Sequence, residues 1–167
     1  MRWLLGDELH PGGEASTARA LELIDLRPEE RLLDVACGTG AAALVAVNAF
    51  GCRATGIDYG EESVLASQAD AARRGLAGKL DFVRGDAAAL PFQDAIFDVV
   101  VCECSLCLLP DKRRAVSEMF RVLRPAVDSR SQTCWLSTSG SPTRCAEPWR
   151  RSPVWGQRSR GTSSNGS

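Results

Sequence analysis

The chain has 167 residues, 44% of them apolar and 25% charged, with a formal net charge of −1. That length accommodates one domain with a real core, and the near-neutral balance excludes a general electrostatic attraction to nucleic acid or to an anionic membrane surface. No apolar run reaches the roughly 18 residues of a membrane span, residues 1–5 are too short for a signal peptide's apolar region, and seven cysteines without a small secreted framework imply reduced thiols, so a cytoplasmic location is expected.

In chain order, the turn-rich segment L-H-P-G-G at residues 9–13 precedes a helical pattern that places Ala20, Leu21 and Ile24 on one face. R-P-E-E at 27–30 then leads into L-L-D-V-A-C-G-T-G at 32–40, which reads as a strand buried on both faces, a glycine turn and the start of a helix over 41–50. Free N–H groups at that helix start face whatever sits in the turn. A dinucleotide site wants G-x-G-x-x-G, whereas this chain has Gly38, Gly40 and then Ala43. Asp34, near the carboxyl end of the strand, repels a pyrophosphate and attracts a cationic amino group; the alternative is an ordinary turn with an incidental aspartate.

Residues 53–58 read as a second strand ending in Asp58, eighteen residues past Gly40 and close to the spacing at which such folds set a carboxylate on ribose hydroxyls. A helix N-cap is the other reading of Asp58. Tyr59 could pack on an adenine. The next helix is expected to bury Leu65, Ala69, Ala72 and Leu76 and to expose Ser63, Ser67, Asp70 and Arg74. Residues 80–85 alternate as a third strand, followed by Asp86-Ala87 and L-P-F at 90–92. Residues 97–102 form the most apolar strand and continue into Glu103, Cys104, Ser105, Leu106 and Cys107. Three sulfurs in C-x-C-x-x-C make a poor zinc site, because Cys102 sits within an apolar strand and no fourth ligand is near; no metal is expected. An amphipathic helix over 111–123 carries Ala115, Val116, Met119, Phe120 and Leu123 on one stripe.

The segment D-V-A-C-G-T-G resembles motif I of class I S-adenosylmethionine-dependent methyltransferases, in the type 11 group that includes ubiquinone and menaquinone biosynthesis enzymes and arsenite methyltransferases. The resemblance runs from about Leu9 to Pro125, taking in L-P-F and R-V-L-R-P at 121–125. It implies an α/β fold, a Rossmann-like doubly wound sheet incomplete in its C-terminal half, and S-adenosyl-L-methionine as cofactor. By the same resemblance Asp34 helps hold the methionine amino group, Ala36, Gly38 and Gly40 pass under the cofactor, Asp58 and Tyr59 meet the ribose and adenine, and Asp86 with Ala87 reads the adenine. Glu103, Cys104 and His10 are the candidates on the acceptor side. Each has a plainer alternative: a wall residue, a packed thiol and a surface histidine. E-C-S-L-C resembles arsenite methyltransferases, in which a cysteine at this place can bind trivalent arsenic.

Residues 1–125 are thus read as the cofactor-binding methyltransferase domain and 126–167 as an irregular tail, truncated or frame-shifted relative to the family after Pro125. An out-of-frame tail is expected because Ala126-Val127-Asp128 stands where the family has a glycine pair. Without a fifth strand the fourth becomes an exposed edge through which chains could associate unless the tail covers it. The expected partner is a small-molecule methyl acceptor. The alternatives are a cofactor-binding but inactive remnant and, third, an NAD-dependent oxidoreductase.

Overall fold

A computed structural model of the chain describes residues 13–125, 133–137 and 143–144, with side chains described over 13–125. Helix α1 (Gly13–Leu23) is followed by strand β1 (Arg31–Val35), helix α2 (Ala41–Val45, continuing as a π-helical turn Ala46–Phe50), β2 (Arg53–Asp58), α3 (Glu61–Arg73), β3 (Leu80–Arg84), β4 (Val99–Glu103), a 3-10 turn (Leu106–Leu108), α4 (Lys112–Val122), β5 (Thr133–Ser137) and β6 (Thr143–Arg144). The sheet order is β3-β2-β1-β4-β5-β6, with all neighbours parallel except β5 and β6. This is the Rossmann-like α/β arrangement of a doubly wound sheet, in which the chain reverses its direction of travel between β1 and β4.

Burial follows strand position. Central β1 and β4 are buried at every residue except Arg31 at one end and the partly buried Glu103 at the other, whereas outer β3 alternates Leu80 and Phe82 inward with Asp81 outward. One face packs Leu32, Phe82, Val99 and Val101 under α1, α2 and α3. The other packs Leu33, Val35, Ile57 and Val100 under Met119 and Val122 of α4. Asp111 caps α4 by accepting the Arg114 backbone N–H at 2.9 Å.

Two expectations are corrected. Helix α3 buries Val64, Ser67 and Ala71 and leaves Leu65 58% exposed. Small residues let the helix approach the glycine turn, and the Ser67 hydroxyl is satisfied by the carbonyls of Ser63, 2.9 Å away, and Gly38, 3.3 Å away. The second correction concerns β4, which is no sheet edge: β5 pairs along it from Val99↔Thr133 to Glu103↔Ser137. T-C-W-L-S holds two strand-favouring residues, Thr133 and Trp135, inside a segment read as irregular. The rest of 126–167 lies outside the described residues, as does His10. Among the described residues no helix is long and apolar enough to cross a membrane.

Candidate functional site

Strands β1 and β4 part at their carboxyl ends, where Ala36 (φ 57°) and Cys104 (φ 54°) both turn left-handed. Non-glycine residues in that region cost energy and gather at working sites. Ser105 Oγ ties the two turns, lying 2.9 Å from the Glu103 carbonyl and 3.3 Å from the Ala36 carbonyl, so its one proton serves them alternately. Two cavities open here. A larger one of about 630 Å³ is lined by Asp34, Cys37, Gly38, Glu103 and Cys104 together with Gly13 and Glu14 of α1. A second of about 410 Å³ is lined by Asp58, Tyr59, Asp86, Ala87 and Leu109. Ala36 and Leu108 line both, so the two cavities adjoin in a cleft at the strand carboxyl ends.

Each carboxylate in the cleft has a distinct environment. Asp34 is 3% exposed, and its Oδ2 has no hydrogen-bond partner in the described structure. Burial, and then the neighbouring charge of Glu103, push its carboxyl up to about 8 from the ordinary 3.8, against a hydrogen bond from the Ala43 backbone at the start of α2. Glu103 Oε2 accepts the buried Thr17 hydroxyl of α1 at 2.8 Å. Asp58 accepts two backbone N–H groups at 2.8 Å each, Gly38 on Oδ2 and Gly60 on Oδ1. The N-cap of α3 is Gly60, so Asp58 braces the turn from two residues ahead of the cap position. Asp86 Oδ1 accepts the Ala88 N–H at 2.8 Å in a tight turn, and Tyr59 is 75% exposed beside it.

The two glycines of the turn do different work. Gly38 has φ +54° and lines the larger cavity, and a Cβ there would meet no atom of the described residues within 4 Å. Gly40 has φ +77°, and a Cβ there would overlap the Phe82 ring. Gly40 lines neither cavity; it lets β3 close against the turn.

The cysteines are dispersed in character. Cys102 is buried, its thiol pushed up to about 12 by burial, while Cys104 is half-buried on the cavity wall and Cys107 is exposed. Among the described residues no group of three or more potential ligands is placed to hold a metal ion. Burial, followed by Asp34 and Asp58, raises the Cys37 thiol, which therefore stays protonated in the cavity.

The structure brings Asp34, Ala36, Gly38, Asp58, Tyr59, Asp86, Ala87, Glu103 and Cys104 to the same cleft. Sequence reasoning missed Thr17, which lies on the inward face of α1 but 86 residues from its partner, and Leu108, 78% exposed at the junction of the cavities. It also missed the contacts that Arg121 makes. Arg121 donates to the Leu90 and Phe92 carbonyls at 3.0 and 2.8 Å and pairs with Glu118 and Asp94, so the R-V-L-R-P and L-P-F segments form one brace.

Residues 33–127 match a family described as "Methyltransferase domain". Similar proteins include an uncharacterized protein of Haemophilus influenzae (36% identical over 119 residues, 70% of this chain and 47% of that protein), and nocamycin O-methyltransferase of Saccharothrix syringae (42% over 109 residues, 64% and 39%). The chain thus spans less than half the length of these curated relatives. Among solved structures, the cyclase SpnF superposes with a TM-score of 0.68 at 32% identity (74% of this chain, 44% of that one), and YcgJ of Bacillus subtilis with 0.65 at 29% (72% and 49%). The doubly wound sheet, its cleft at the strand carboxyl ends and the match over most of the described core place this chain in the class I methyltransferase family.

Proposed function

We propose that this chain holds S-adenosylmethionine in the cleft and serves methyl transfer to a small-molecule acceptor. The observation that carries the reading is the alignment of three aspartates, Asp34, Asp58 and Asp86, at or just beyond the carboxyl ends of β1, β2 and β3. Strands about 4.8 Å apart set them across about 10 Å, a span suited to an ammonium, a ribose and an adenine in that order. Among the described residues two features fit the cofactor: a buried carboxylate oxygen without a hydrogen-bond partner at Asp34, and open space beside the Gly38 backbone.

In this reading Asp34 takes the methionine ammonium, Asp58 accepts from the ribose hydroxyls with its remaining lone pairs, and Asp86 with the Ala87 N–H reads the adenine edge. The bound cofactor supplies a methyl group already activated by its sulfonium. The chain's own contribution is alignment and water exclusion, through the Ala36 and Gly38 backbones below and Leu108 and Leu109 at the mouth. Cys104 and Ser105 then form the wall against which the acceptor is presented, and no triad is required.

A second reading is a binding module without transferase activity. The kinship with the cyclase SpnF adds that this fold also serves other chemistry. Titration calorimetry on the full chain tests the proposal. Saturable binding of S-adenosylmethionine and none of NADH is expected; the reverse would overturn the cofactor assignment. Labelled-methyl transfer to a panel of amines, thiols, phenols and arsenite separates enzyme from binding module.

A further inference from the structure

Strand β3 ends at Arg84 and β4 begins at Val99, so the backbone groups of the segment between them need partners other than neighbouring strands. Helix α4 supplies several. Arg114, Glu118 and Arg121 are spaced i, i+4, i+7 and form one stripe beside the buried stripe of Ala115, Met119 and Val122. Arg114 Nε donates to the Ala88 carbonyl at 2.8 Å, and Glu118 Oε2 accepts the Leu90 N–H at 2.9 Å. Arg121 donates to the Leu90 and Phe92 carbonyls at 3.0 and 2.8 Å. Past Phe92 the tie continues through the backbone: the Ala95 N–H reaches the Arg121 carbonyl at 3.0 Å and the Ile96 N–H the Val122 carbonyl at 2.9 Å. The stripe is also bonded to itself, because Glu118 meets Arg121 through both oxygens, at 2.7 and 2.8 Å. These two side chains are 20% and 30% exposed, so salt screens them less than a surface pair, and Arg121 holds the Glu118 carboxyl below its ordinary range. The tethered segment begins with Asp86 and Ala87, which line the smaller cavity, and Leu108 to Pro110, leading into α4, line it too. One helix thus carries one lining segment at its start and ties down the other with its side chains.

We propose that Arg114, Glu118 and Arg121 are positioning residues for purine recognition: by fixing Asp86 and Ala87 at the cavity, they set the chain's selectivity for a 6-amino over a 6-oxo purine nucleoside. This rests on the cofactor reading above and adds to it what makes the choice of base sharp. A 6-amino purine presents a donor to the Asp86 carboxylate and a ring acceptor to the Ala87 N–H. A 6-oxo purine reverses both, setting oxygen against carboxylate and N–H against N–H. Two such contacts discriminate only while they are held in place, because a loose segment turns away from a mismatch at little cost. Ala88 is gripped from both sides: its N–H donates to Asp86 Oδ1 at 2.8 Å and its carbonyl accepts from Arg114. The hold of α4 therefore reaches the Asp86 carboxylate through one residue.

The test is calorimetry on the full chain with 5′-methylthioadenosine and 5′-methylthioinosine, which differ only at the purine edge, and with S-adenosylhomocysteine as the reference ligand. The wild type should prefer methylthioadenosine by at least about tenfold, the scale of one or two hydrogen bonds gained or spoiled. Arg121→Met should cut that preference at least about fivefold and Arg114→Ala at least about threefold, through weaker methylthioadenosine binding while methylthioinosine changes little. Two controls should keep it: Arg113→Ala removes a neighbouring exposed cation that hydrogen-bonds no atom of the segment, and Met119→Ala loosens the same helix through its buried stripe. Should Arg121→Met not fold, Arg114→Ala, a change at an exposed residue, decides alone. Equal weakening of both nucleosides by the arginine variants, or the same loss of preference in Met119→Ala, makes α4 a merely structural support and overturns the proposal. Wild-type binding of S-adenosylhomocysteine with no preference between the nucleosides overturns it too and leaves the cofactor reading standing. Failure of all three ligands to bind overturns the cofactor reading itself.

Discussion

The Gly38 backbone N–H donates to Asp58 Oδ2 at 2.8 Å, tying the turn after β1 to the end of β2 across twenty residues of sequence. The same carboxylate accepts Gly60 N–H on its other oxygen, so one side chain shapes both the glycine turn and the start of α3. Asp58→Ala should therefore lose structure as well as ligand contacts. We expect about 2–4 kcal/mol off unfolding stability and at least tenfold weaker S-adenosylhomocysteine binding, because charge-assisted hydrogen bonds are worth about 1.5–3 kcal/mol each. Urea denaturation and calorimetry on one preparation measure both. Unchanged affinity would remove Asp58 from the ribose site.

Gly38 and Gly40 separate function from packing. Gly38→Ala places a methyl in open cavity space, at a left-handed cost of about 1–2 kcal/mol, and should reduce ligand affinity more than stability. Gly40→Ala drives a methyl into the Phe82 ring and should destabilise by about 2–4 kcal/mol. Any ligand effect of that substitution should follow only from lost fold. Thermal unfolding alongside binding distinguishes them, and the opposite ordering would exchange their roles.

The buried Asp34 carboxyl makes stability depend on pH with a definite sign. The folded chain keeps its proton up to about 8, whereas the unfolded chain loses it near 3.8. Between those values the native state binds more protons, so this group's contribution is complete below about pH 4 and is lost as pH rises toward and through 8. The slope approaches about −1.4 kcal/mol per pH unit at most. Asp70 and Glu118, held below the usual range by their arginine partners, act in the opposite sense at lower pH. The difference between wild type and Asp34→Asn isolates the Asp34 term: it should decline across pH 5–8, and a flat difference would contradict the buried assignment.

The parts legible in the sequence were those with local causes. Buried apolar runs marked β1 and β4, and strand-terminal aspartates marked the cleft. The inward face of α3 was not legible, because Ser67 is buried for its size and its two carbonyl partners while Leu65 lies mostly exposed. The contact of Thr17 with Glu103 and the Arg121 brace depend on tertiary approach between residues far apart in the chain. Strand β5 was hidden for a different reason: its five residues include only two strand-favouring types, Thr133 and Trp135, and stand in a Ser- and Arg-rich neighbourhood whose average composition reads as irregular. The family match ends at residue 127, close to Pro125 where the resemblance to the methyltransferase pattern stops.

The central claim is that one cleft, floored by the Ala36 and Gly38 backbones, holds adenosylmethionine through three aspartates. A crystal structure of the full chain grown with S-adenosylhomocysteine tests it most directly. The account predicts the ribose hydroxyls on Asp58, the adenine edge at Asp86 and Ala87, and the ammonium at Asp34. Ligand bound with its adenine away from Asp86 and its ribose away from Asp58, or an empty cleft at saturating ligand, would contradict it.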